Sequence, residues 1–105
     1  MASSRPTLQD QMVVDLKQSV ANLKLTLSQN AGNPDKTKGT RASAQALVLR
    51  INELMPKALS AHRIHQSDME LWSTFKKEWE QQKSGTWTKC LEKIRPLDDR
   101  FKQMS

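Results

Sequence analysis

Six cations, Lys36, Lys38, Arg41, Arg50, Lys57 and Arg63, fall between residues 36 and 66, where Glu53 is the one acid. Residues 1–35 hold three basic and three acidic side chains and residues 67–105 hold eight against seven, so five of the net +6 charges lie in the middle third. Cations concentrated in this way suit a polyanion, because each phosphate neutralised releases counterions and adds affinity that does not depend on base sequence. The plainer alternative is a solvated surface in which Glu53 pairs with Arg50 and Lys57 at helical spacing, an arrangement that contributes little energy. Other chemistry has less to stand on. His62 and His65 in "HRIH" are three apart, a spacing that can hold a metal on a helix, but no third ligand is fixed by spacing. The carboxylates Glu70, Asp98 and Asp99 have no companion nucleophile, Walker loop or HExxH signature, so no catalytic residue, metal or cofactor is expected. The loop "NPDKTKG" lacks the glycine spacing and the preceding strand of a phosphate loop.

Trp72, Phe75 and Trp79 are three and four apart, with Lys76 and Lys83 near the same line. They occupy a narrow arc of a helical wheel. In a chain with only five aromatic residues they would supply much of the large apolar area, and long lysines can reach past buried rings to water. Core is therefore the expected role. Bases stacked on the rings with phosphates on the lysines is the functional alternative.

The elements that must carry these residues are helices separated by short breaks, since the chain has only three Gly and four Pro. The first helix is expected over about Leu8–Ser28, with Thr7 as N-cap and Asp10 completing an acidic capping box. Leu8, Met12, Val13, Leu16, Val20, Leu23 and Leu27 share one broad apolar face. Val14, Ala21 and Leu25 form a smaller patch nearly opposite, which a dimer or protein partner would cover. Residues 29–39, centred on "NAGNPDKTKG", read as a basic loop. A second helix starts near Thr40 and carries Ala44, Leu47, Val48, Ile51, Leu54, Met55 and Ala58 as its stripe, with Pro56 expected to kink or restart it. The third has a Ser67/Glu70 capping box and a stop at Ser84-Gly85. Beyond it, a short helix over Thr88–Ile94 and a further turn with Pro96 in its first position are expected. No repeat, sustained heptad tract or low-complexity segment stands out.

A length of 105 residues fits one helical domain, 1–105, with residues 1–6 expected to be flexible. The single Cys90 forms no intramolecular disulfide and suits a reducing interior, cytoplasmic or nuclear. No apolar run is long enough for a membrane helix, and "MASSRPTLQDQ" has no apolar core of a secretory signal. In outline, residues 7–66 resemble small all-helical, homodimeric viral proteins that cover double-stranded RNA and suppress RNA silencing: a first helix, an Asn/Pro turn, then a long helix with spaced Arg and Lys. That resemblance implies shape recognition of duplex RNA by the six cations. The expected fold is all-α, a small bundle of four to five helices, with homodimerisation as one way to complete it. Two functions are carried forward. One is a non-enzymatic nucleic-acid binder; the other is a helical adaptor or assembly subunit docked onto a larger protein. Neither requires a small-molecule substrate.

Overall fold

The computed structural model describes residues 8–30, 38–81 and 87–103. They form four helices, α1 (Leu8–Asn30), α2 (Lys38–Ser60), α3 (Gln66–Gln81) and α4 (Trp87–Lys102), with no strand among the described residues. Successive helices run antiparallel: Asn52 meets Trp72 where Gln45 meets Trp79, and Asp68 meets Arg100 where Trp79 meets Trp87. The chain order closes into a ring in which α1 packs on α2 and α4, and α3 packs on α4. The α2–α3 seam is the loosest of the four. The result is an up-and-down helical bundle.

The apolar stripes predicted from periodicity face inward. Leu16, Val20, Leu23 and Leu27 of α1 and Ala44, Val48, Ile51, Met55 and Ala58 of α2 are buried. They meet Trp72, Phe75 and Trp79 of α3 and Trp87, Cys90, Leu91, Ile94, Leu97 and Phe101 of α4 in one cluster. The aromatic stripe is core, as its spacing predicts. Trp72 stacks on Phe75 at 5.2 Å between centroids, Phe75 on Trp79 at 6.2 Å, and Trp87 of α4 closes the row at 6.0 Å. Rings at these separations add cohesion beyond their buried area.

Three local expectations are corrected. Pro56 does not restart a helix but lies inside α2, which continues to Ser60; the buried Met55 and Ala58 on either side tie the last turn to the core and outweigh the one backbone bond a proline removes. Pro96 likewise lies inside a single α4 rather than opening a second piece, held there by the buried Leu97 and Phe101. The start of α3 is capped by His65 and Asp68 rather than Ser67 and Glu70: the His65 N–H donates to Asp68 Oδ2 at 2.8 Å, and the Asp68 N–H donates to the His65 carbonyl at 3.0 Å. A carboxylate in the third helical position thus satisfies the backbone of the residue before the helix, the reciprocal half of a capping box.

The end of α2 is also well defined. The Arg63 N–H reaches back to the Ala58 carbonyl at 2.9 Å and the His62 N–H to the Leu59 carbonyl at 3.0 Å, while His62 itself sits at φ 60°. This is the Schellman closure, with a histidine in the left-handed position that usually takes glycine. It turns the chain so that Ile64, 3% exposed, drops into the core. Of the expected basic loop, Gln29 and Asn30 belong to α1 and Lys38 and Gly39 to α2. Residues 31–37, the start 1–6 expected to be flexible, Thr7 and Ser84-Gly85 lie outside the described residues.

Candidate functional site

Among the described cations, Arg41 and Arg50 do not share one surface. Arg41 and Arg50 are nine residues apart, which at about 100° per residue places them roughly 180° from each other around α2. Arg41 accordingly faces α3, where it borders the groove with Trp79 and Lys76. Arg50 faces α1 and forms a two-pronged pair with Asp15, donating from Nε to Oδ1 at 3.0 Å and from Nη2 to Oδ2. This fork-on-carboxylate geometry is the stronger kind of ion pair. The Arg50 hydrogen bond holds the Asp15 carboxyl below its ordinary range against the opposing effect of burial, and Ser19 adds a weak donor at 3.4 Å. Arg63 pairs through one contact with Asp10 of α1, Nη1 to Oδ1 at 2.7 Å, at the partly exposed edge of the bundle. Lys57 is exposed beside Pro56, Ser60 and Ala61. Lys38 opens α2, and Lys36 lies outside the described residues.

Where α2 and α3 diverge, a groove of about 610 Å³ is lined by Arg41, Gln45, Val48, Leu49, Lys76 and Trp79 among others. Its floor is held by indole-to-amide hydrogen bonds. Trp79 Nε1 donates to Gln45 Oε1 at 2.7 Å, and Asn52 Oδ1 accepts from Trp72 Nε1 at 3.4 Å and from Lys76 Nζ at 2.9 Å. The buried rings therefore bring donors to the α2–α3 seam, where Gln45 and Asn52 satisfy them. Leu49 stands on the rim with 57% of its surface exposed.

Two buried carboxylates are sites that periodicity alone does not reveal. Asp68 caps α3 with one oxygen and accepts from Arg100 Nε with the other at 2.9 Å. Asp98 receives Lys24 of α1 and Lys102 of α4 on the same oxygen, both at 3.1 Å. Lys102 titrates higher than usual, chiefly through that hydrogen bond. Each carboxylate is buried yet paired with a cation, the condition under which a buried charge is tolerated. Their signal in the sequence is an acid standing in an apolar phase of a helical wheel. Among the described residues no group of three or more His, Cys, Asp or Glu could hold a metal, and His62 and His65 serve the two helix ends instead. Cys90 is buried, and that burial, with the Glu78 carboxylate as a lesser cause, pushes its thiol up to about 12. A thiol so placed is a poor nucleophile.

On α1 the patch read from sequence faces away from the core. Val14 is 53% and Leu25 54% exposed, while Ala21 is half-buried against α4 beside Phe101. No helix among the described residues is long and apolar enough to cross a membrane. No known protein family, curated protein or solved structure matches the chain.

Proposed function

We propose that the protein is a non-enzymatic assembly subunit, a helical bundle that acts by docking onto protein surfaces, beginning with a second copy of itself at the outer face of α1. One contrast carries this reading: Arg50 and Arg63, which phosphate tracking needs, are turned onto Asp15 and Asp10 of α1, whereas Val14, Leu25 and Leu49 stand outward more than half exposed. Cations already paired have less to give a polyanion, and exposed large apolar side chains are what association covers. The unpaired buried thiol fits an intracellular, reducing setting for this role.

A second reading, shape recognition of duplex RNA, keeps support from the net charge of +6 and from the exposed Arg41 and Lys57. Those two stand about 24 Å apart along α2, sixteen residues at 1.5 Å each, and could reach separate phosphates. Sedimentation of the full chain across protein concentration, together with titration against duplex RNA at two salt concentrations, separates the readings. The assembly reading expects self-association that changes little with salt and survives Arg41→Ala and Lys57→Ala. A chain that stays monomeric and binds duplex RNA with an affinity falling steeply as salt rises overturns it.

A further inference from the structure

Resting on the assembly reading, we infer that two copies pair antiparallel along α1, with the two-fold axis passing between Ser19 and Val20. The outward residues Gln11, Val14, Gln18, Ala21, Leu25 and Ser28 recur at alternating spacings of three and four. That is the a/d rhythm of a helix–helix seam, here on the side away from the core. All but the half-buried Ala21 are exposed. None of the six is charged, in a protein of net charge +6. An uncharged stripe lets two copies that each carry a net charge of +6 approach without adding repulsion at the contact itself. Lys24, at the edge of the stripe, is drawn toward α4 by Asp98 at 3.1 Å.

The direction follows from reversing the pattern. Run antiparallel about that axis, Val14 opposes the partner's Leu25, Gln18 opposes the partner's Ala21, and Gln11 opposes the partner's Ser28. Apolar meets apolar, and each long amide meets a small side chain. A parallel pair would set Gln18 against Gln18 and leave Ala21 facing Ala21 across a gap, which fills the seam poorly. Hollows on both sides of α1 can receive the partner's flanking side chains. One, of about 340 Å³, lies between Val14, Gln18 and Arg50; the other, of about 220 Å³, lies between Gln18, Ala21 and Phe101.

The seam spans about 27 Å and one helix width of about 10 Å, on the order of 300 Å² per copy. Stable complexes bury roughly 800 Å² per partner, so the dimer belongs to the weak, exchanging class and its population must rise with concentration.

Oxidative cross-linking of the full chain tests the register, with Cys90 buried and silent in the background. An equimolar mixture of Val14→Cys and Leu25→Cys is expected to form disulfide-linked dimers at least tenfold more efficiently than either variant alone. Gln18→Leu, which sets an apolar group against the partner's Ala21, is expected to tighten dimerisation about tenfold in sedimentation. Val14→Cys cross-linking to itself as well as the mixture does would overturn the antiparallel register while leaving assembly intact. A sedimentation coefficient independent of concentration, with no cross-link in any variant, would overturn the register and the assembly reading together.

Discussion

His62 is the residue most at odds with its backbone. A left-handed φ of 60° is costly for a side chain with a Cβ, by about 1–2 kcal/mol relative to glycine's freedom, and His62 is exposed, so the ring contributes no core packing. His62→Gly should therefore raise stability by roughly 0.5–1 kcal/mol, the gain being limited by the extra chain entropy that glycine gives the unfolded state. Urea unfolding followed by tryptophan fluorescence would register it as a higher midpoint at unchanged slope. A lower midpoint would show that the imidazole makes contacts that outweigh the strain. Cys90 offers a second residue-level test. With its thiol pushed up to about 12 by burial, labelling by a thiol reagent at neutral pH should proceed only through opening of the bundle. Its rate should rise in step with the unfolded fraction as urea is added; rapid labelling in native buffer would contradict the burial.

At the scale of the helix, the two internal prolines show what was legible in the sequence and what was not. The stripes of α1, α2 and α3 were readable because period 3.6 survives any later packing, and Trp72, Phe75 and Trp79 are buried where that period puts them. Pro56 and Pro96 misled because local preference against helix is a few kcal/mol at most, while the burial of Met55 and Ala58, or of Leu97 and Phe101, is a long-range gain that no local window displays. The cap of α3 is a local pair, His65 with Asp68, that Ser67 and Glu70 mimic two positions later, and only the contact of Asp68 with Arg100, 32 positions away, is long-range. Spacing along α2 does not tell which cations a neighbouring helix engages: Asp10 and Asp15 of α1 decide which way Arg63 and Arg50 turn. If α2 tolerates Pro56 only by long-range packing, Pro56→Ala should stabilise the protein by about 2 kcal/mol, the ~3 kcal/mol helix penalty less up to about 1 kcal/mol of unfolded-chain entropy. Thermal unfolding by circular dichroism would show it; no change in midpoint would mean that the last turn of α2 is already free of strain.

For the molecule as a whole, α1 is the helix on which both neighbours depend, and ion pairs line its two edges: Asp10–Arg63 and Asp15–Arg50 toward α2, Lys24–Asp98 toward α4. The Asp15 carboxyl titrates below its ordinary value of 3.8 in the folded state, through the Arg50 hydrogen bond first. A depressed folded-state value means that the pairing stabilises the bundle fully above the unfolded value and is lost as pH falls through the folded one. Arg50→Gln removes the pair at every pH. The wild-type advantage over that variant should therefore be present at neutral pH, hold down to about pH 5, and vanish once Asp15 is protonated in both proteins. It should also be small and shrink in high salt, since Arg50 lies at the surface. Urea midpoints for the two chains at a series of pH values test this directly. A gap that persists undiminished in strong acid would assign the effect to the arginine's packing against α1, not its charge.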